Sequence, residues 1–251
     1  MNKIKRKNKQ DKGIASHSRA KTWLIGVDEV GRGPLAGPVG VCAVAIPYKN
    51  TKQKSYAYLQ SLLRKKVSCT YPKHIDSKKM SQKDREFWFD AIYALLKEKS
   101  IYSTYATASA QRIDEDGISV CIQRLVDTCV RKTISDIYKN STGNITLKTS
   151  HKEIVIRYIV LLDGGLKTTC AVDSSKTIIK GDQKEIVISL ASVFAKVSRD
   201  TEMMRMSRDK KYKDYGFDEH KGYGTEHHRK MIQIYGMSDI HRKTFCTKIK
   251  R

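Results

Sequence analysis

The chain has 251 residues, 39% of them hydrophobic and 30% charged, and 49 Lys and Arg against 26 Asp and Glu give a formal charge of +23. That is enough chain for one large domain or two small ones. An excess of this size points to a polyanionic partner, nucleic acid first, against the plainer reading of a lysine-rich composition.

Three classes are excluded. No apolar run approaches the roughly 18–20 residues of a membrane span. No apolar core follows the basic N-terminus as it would in a secretory signal. The six cysteines, at 42, 69, 121, 129, 170 and 246, form no C-x-x-C pair for zinc, and the chain is too long for a disulfide scaffold. Reduced thiols in a cytoplasmic protein are the expectation.

Residues 1–21 carry Lys3, Lys5, Arg6, Lys7, Lys9, Lys12, Arg19 and Lys21 against Asp11. A disordered basic leader is expected there. It either adds non-specific phosphate affinity or is a passive extension. Residues 22–251 read as one domain, with no internal repeat and no linker.

Leu24-Ile25-Gly26-Val27-Asp28 begins as an apolar run of strand length and ends on the adjacent acids Asp28 and Glu29. Carboxylates at a buried strand end are costly without a cation. Gly31-Arg32-Gly33-Pro34 then opens the backbone to close approach and offers one planar fork for a phosphate. The bland alternative is a solvated acid pair before a tight turn.

Val39 to Ile46 (VGVCAVAI) is a second strand, and the short connection favours an antiparallel pair. Residues 48–74 read mostly as an inserted loop, with one short helix possible around Tyr58, Leu59, Leu62 and Leu63. Ser81 with Asp84 makes a capping-box pattern for a helix through Trp88, Ile92, Leu95 and Leu96. Ile101 to Ala108 is a third strand. Residues 114–138 have helical spacing, and 139–152 are turn-rich and polar.

Ile154 to Leu162 (IVIRYIVLL) repeats the opening arrangement and ends at Asp163-Gly164-Gly165. If the two strands are parallel or neighbours, Asp28 and Asp163 meet. Thr177 to Ile179 is a short strand before Lys180-Gly181-Asp182. A long helix is expected over about 185–208, where Ser189, Ala191, Ser192 and Ala195 permit close packing on the sheet. Residues 209–224 read as a basic aromatic loop and 225–235 as a last helix.

Asp28, Glu29, Asp163 and Asp182 each follow an apolar run next to glycine or another acid. Oxygen donors without His or Cys favour Mg²⁺ or Mn²⁺ over Zn²⁺. Two such ions roughly 3.5–4 Å apart can activate water and stabilise a leaving oxygen in phosphodiester cleavage. Asp-Gly and Gly-Asp are also ordinary turn dipeptides. Tyr223, between two glycines, either stacks on a sugar or base or simply packs. His227 and His228 point apart on a helix and read as surface residues. His220 and His241 read as phosphate contacts or solvated side chains.

Gly26-Val27-Asp28-Glu29-Val30-Gly31-Arg32-Gly33-Pro34-Leu35-Ala36-Gly37-Pro38-Val39 resembles the signature of ribonuclease HII. The resemblance continues in order through Asp76-Ser77-Lys78-Lys79, Leu162-Asp163-Gly164, Lys180-Gly181-Asp182 and Ala195-Lys196-Val197-Ser198-Arg199-Asp200. It runs on through Tyr215-Gly216-Phe217, His220-Lys221-Gly222-Tyr223-Gly224-Thr225 and His241-Arg242-Lys243-Thr244-Phe245, covering about residues 22–246. Departures are mild: Gly165 stands where the family commonly has Asn, and Thr244 where it has Ser. Ribonuclease HIII typically has Gly-Lys-Gly in place of Gly31-Arg32-Gly33.

The resemblance implies an α/β fold, a mixed RNase H-like central sheet flanked by helices, with a helical C-terminal part from about 205. It implies a metal-dependent endoribonuclease using Mg²⁺ or Mn²⁺. Its substrates would be RNA–DNA hybrids and DNA duplexes with embedded ribonucleotides, cut on the 5′ side to leave a 3′-hydroxyl and a 5′-phosphate. Carried over by position, Asp28, Glu29, Asp163 and Asp182 are the catalytic metal ligands. Gly31, Arg32 and Gly33 read the 2′-hydroxyl through the backbone, since that group distinguishes RNA from DNA. Tyr223 packs on the following deoxyribose, and Ser77 and Lys78 contact phosphate. A cytoplasmic monomer without a membrane partner or a sliding-clamp peptide is expected. The competing class is a non-catalytic nucleic-acid binder, which has no need of four placed acids.

Overall fold

β1 (Lys21–Val30) is the central strand of the molecule. The computed structural model describes residues 21–64, 80–142 and 155–249. β1 pairs antiparallel with β2 (Val39–Pro47), which pairs antiparallel with β3 (Tyr102–Ala108). On its other side β1 runs parallel to β4 (Ile156–Asp163), which is parallel to β5 (Ser174–Ile178). The order β3-β2-β1-β4-β5 is a mixed five-stranded sheet. β1 begins at Lys21, the last residue of the expected leader; residues 1–20 lie outside the described ones.

Strand alternation sorts the core into two layers. Leu24, Cys42, Val44 and Ile46 face one side with α1 (Lys52–Arg64), α2 (Gln82–Lys97) and α6 (Ile186–Ser207). Ile25, Val27, Val39, Val41, Ala43 and Ala45 face the other, under α4 (Ile118–Thr142). Each layer buries branched aliphatics that are worth about 1.5–3 kcal/mol apiece in water exclusion. Gly26 lets α6 press onto β1, because a Cβ there would strike the Val187 carbonyl and the Ile188 nitrogen. That contact brings the α6 stripe over the end of β1. Among the described residues no helix is long and apolar enough to cross a membrane.

The capping box is as expected: the Ser81 hydroxyl accepts from the Asp84 N–H at 3.2 Å and the Asp84 carboxylate from the Ser81 N–H at 3.2 Å. Four expectations change. Residues 52–64 of the expected loop form α1, which buries Ser55, Leu59 and Leu63 at four-residue spacing. Lysines and tyrosines on its outer face dilute that pattern. The helix expected over 114–138 is two, α3 (Ala110–Asp116) and α4, because Gly117 turns the chain at φ +82°. α4 continues through Thr142, taking in the start of the expected 139–152 loop. The strand expected from Thr177 opens earlier, as β5, at Ser174.

After β5 come a single turn of helix, α5 (Gly181–Lys184), and then α6. Glu185 between them accepts from Lys52 and Tyr56, so α1 is tied to this junction. The basic 209–224 stretch is partly ordered: a 3-10 turn (Lys213–Tyr215) and α7 (Phe217–His220) precede α8 (Glu226–Tyr235). These close a third cluster on Ala36, Met203, Tyr215, Phe217 and Ile232. The helical C-terminal part thereby packs on the loop that follows β1.

Candidate active site

The parallel register sets Val27 beside Leu162. The next residues, Asp28 and Asp163, therefore leave adjacent strands at the same carboxyl edge, where open α/β sheets commonly bind ligands. Asp28 is 6% exposed and shares the α6 face. It accepts the Glu29 N–H at 2.8 Å and a hydrogen bond from Ser192. Burial pushes its carboxyl up to about 7, the Ser192 bond opposes that, and the Asp163 charge raises it further.

Asp163 Oδ1 accepts the N–H of Gly181 at 2.6 Å and of Asp182 at 3.3 Å. Lys180, at φ +55°, makes the turn that aims those N–H groups. The Asp182 backbone is thus held against Asp163, while the residue itself is 1% exposed and is not among those lining the cleft that holds Asp28, Glu29 and Asp163. Glu29 leaves the opposite face of the pleat and pairs with Arg32 at 3.3 Å. Arg32, read from the sequence as a phosphate fork, is held beside an acid with its side chain 57% exposed.

Among the described residues, no three His, Cys, Asp or Glu side chains form a ready-made metal cage. The donor set still fits a hard divalent ion. Asp28 and Asp163 repel each other in a cleft of low dielectric, which a cation would relieve. Mg²⁺ in particular is held by one or two carboxylates, waters and substrate phosphates rather than by an all-protein cage.

Gly31, Arg32, Gly33, Lys196, Arg85 and Tyr223 line the same 430 Å³ cleft as Asp28, Glu29 and Asp163. Tyr223 is 41% exposed, and its ring lies 5.8 Å from Lys196 Nζ. Ser77 and Lys78 lie outside the described residues.

The Gly31–Pro38 loop is held from behind by two fully buried arginines. Arg242 donates to the carbonyls of Gly31 (2.7 Å), Arg32 (3.0 Å) and Gly37 (3.0 Å). Arg199 donates to Pro38 (2.9 Å), Lys221 (3.0 Å) and Ala36 (3.2 Å). Burial lowers both guanidinium pKa values, and Arg199 lowers that of Arg242 further. Ser192, Lys196 and Arg199 recur three and four residues apart on α6, so helical spacing points to them once Asp28 is known to face that helix.

Two expectations about histidine are wrong. His228 and His241 are 0% and 1% exposed, not surface or phosphate-contacting residues. The Tyr223 carbonyl can only accept, so His228 Nδ1 donates to it at 2.9 Å. His228 Nε2 then accepts from His241 Nε2 at 3.0 Å, and His241 Nδ1 accepts the Ser238 N–H at 2.9 Å. His220 completes the group, donating from Nε2 to the Tyr215 carbonyl and accepting the Gly222 N–H at Nδ1. Adjacent numbering concealed this, since the partners are brought together from α8 and the tail.

The family model of ribonuclease HII matches residues 25–248. A curated ribonuclease HII of Clostridium beijerinckii is 32% identical over 95% of this chain and 72% of its own length. One from Sulfurovum sp. is 33% identical over 90% of this chain and 92% of its own. Among solved structures, the ribonuclease H2 of Pyrococcus horikoshii OT3 superposes with a TM-score of 0.55 at 19% identity, over 90% of this chain and 96% of that one. Bst-RNase HIII in complex with Mn²⁺ gives 0.53 at 15% identity, over 90% of this chain and 65% of that one. The last two establish the RNase H-like fold; with the family match and the close sequence relatives, the chain belongs to the ribonuclease HII family, metal-dependent endoribonucleases acting on RNA in RNA–DNA hybrids.

Proposed function

We propose that this cleft cuts the RNA strand of hybrids and also nicks duplex DNA on the 5′ side of a single embedded ribonucleotide, leaving a 3′-hydroxyl and a 5′-phosphate. The observation that carries the reading is the meeting of Asp28 and Asp163 at the ends of parallel strands, in one cleft lined also by the Gly31–Gly33 turn. In a strongly basic protein, that pairs hydrolytic chemistry with a backbone reader for the ribose.

Asp28, Glu29, Asp163 and Asp182 would hold a pair of Mg²⁺ or Mn²⁺ ions. A related ribonuclease HIII was solved with Mn²⁺. Such ions supply an activated water and charge neutralisation at the leaving oxygen. The chain does the rest. Ser192 orients the Asp28 carboxylate, and the α5 N–H groups orient Asp163. Lys196 and Arg85 offer cations to the phosphates that flank the cut. Gly31, Arg32 and Gly33 read the 2′-hydroxyl through the backbone, and the half-open Tyr223 ring packs on the next deoxyribose.

Asp163→Asn tests the site. It keeps the side-chain shape and removes one ligand charge. The variant should bind the ribonucleotide-containing duplex like wild type and fail to cleave it in Mg²⁺ or Mn²⁺. Near-normal turnover would remove Asp163 from the chemistry.

A further inference from the structure

We propose that Arg242, with Arg199 beside it, is a specificity-determining positioning residue: together they fix the peptide planes that present the Arg32 and Gly33 N–H groups to the ribose. The inference rests on the reading that the Gly31–Gly33 turn senses the 2′-hydroxyl.

The geometry is that of the planar trans peptide, in which a carbonyl and the following N–H point in opposite directions. The described peptide bonds are all trans. Arg242 draws the Gly31 and Arg32 carbonyls inward, at 2.7 and 3.0 Å. The N–H groups of Arg32 and Gly33 are thereby turned away from the buried side, and both residues line the cleft. A peptide flip in this turn would leave a buried guanidinium donor without its acceptor and aim a carbonyl at the ribose. Unpaired buried donors of charged groups are among the costlier defects in a fold.

Arg199 braces the same loop from the far end. Its three bonds go to Ala36, Pro38 and Lys221, which join the turn to the segment carrying Tyr223. Gly31 lies at φ +78°, and a Cβ there would run into the Arg199 side chain. The turn is thus packed directly on one arginine and hydrogen-bonded to the other. The acceptors are backbone carbonyls whose positions fit a five-donor planar fork; lysine, a point charge with three donors, cannot span them. Neither guanidinium reaches the cleft surface, since both residues are 0% exposed. Their influence on the substrate therefore passes through the loop and, for Arg199, also through the Tyr223 ring, whose centroid lies 5.9 Å from its guanidinium carbon.

The test is single-turnover and steady-state nicking of a duplex with one ribonucleotide, beside the all-DNA duplex of the same sequence, by wild type, Arg242→Lys and Arg199→Lys. Melting curves and all-DNA affinities are taken in parallel. Arg242→Lys should lose on the order of 100-fold in kcat/KM, as misplacement by about an ångström does. The loss should fall in kcat, with KM and the all-DNA affinity held by unchanged phosphate contacts. Arg199→Lys should lose less, in the same direction.

Wild type that cuts both duplexes alike would remove the underlying reading of the turn. Wild type that discriminates, with a folded Arg242→Lys nicking equally well, would overturn the positioning role alone. A variant with a lower melting temperature and unaltered kcat below it would also overturn it, since that is the mark of a purely structural arginine. Should Arg242→Lys not fold, Arg199→Lys decides by the same criteria.

Discussion

Lowering the pH should destabilise this protein through His228 and His241. Both are buried as neutral rings in one directional chain from Ser238 to the Tyr223 carbonyl. Burial is the largest cause that lowers each, from 6.5 to about 4. The His220 ring, stacked on His228 at 4.3 Å, adds to the effect, while Asp239 opposes it at His241.

The folded state then binds fewer protons than the unfolded chain. Stability is complete above pH 6.5 and is lost as pH falls through the window from 6.5 to about 4. Between pH 7 and pH 5 each ring should forfeit about 2 kcal/mol, and the pair about 3–4 kcal/mol. That is a large share of the roughly 5–15 kcal/mol that holds a typical domain. Urea unfolding at pH 7, 6 and 5 gives the free energies, and the C2–H proton resonances give the two titrations. A stability level from pH 7 to 5, or histidines titrating near 6.5, would refute the directional chain. Because His228 holds the Tyr223 carbonyl, nicking at a junction should decline over the same range ahead of global unfolding.

Ser192→Ala removes the hydroxyl that opposes the raised Asp28 pKa, and should weaken Mn²⁺ binding about 10-fold or more, read by calorimetry with and without substrate. Gly31→Ala forces a Cβ into Arg199 at φ +78° and should cost about 1–3 kcal/mol in urea unfolding while abolishing ribonucleotide nicking. Tyr223→Ala should lower the preference for a single ribonucleotide over a continuous hybrid without preventing hybrid cleavage. Affinity for duplex should fall steeply with added salt, because a +23 chain releases counterions on binding phosphates.

Much of this was legible before any coordinates. The strands ending at Asp28 and Asp163 carry apolar runs that suit a buried position, and their repeated arrangement made a meeting of the two acids conditional on parallel or neighbouring strands, a condition the parallel pairing of β1 with β4 meets. The signature residues around them point to one family. What the sequence concealed depends on partners distant in the chain. Arg199 and Arg242 look like two more surface cations in a basic protein, and only packing shows most of their bonds going to carbonyls more than 160 residues away. His228 and His241 are 13 residues apart, and helix geometry alone gave no reason to join them. α1 was obscured because its buried stripe is narrow and its outer face is lysine-rich.

In the proposed function, carboxylates at one sheet edge and the Gly31–Gly33 turn act together as a cutter that requires a ribose. The most direct measurement is nicking of a duplex holding one ribonucleotide, with the ends of the cut strand mapped, in Mg²⁺ and in Mn²⁺. The expected result is one cut on the 5′ side of the ribonucleotide, with 3′-hydroxyl and 5′-phosphate ends, and an intact all-DNA control. Equal cutting of the control, or no cut in either metal by folded protein, would contradict it.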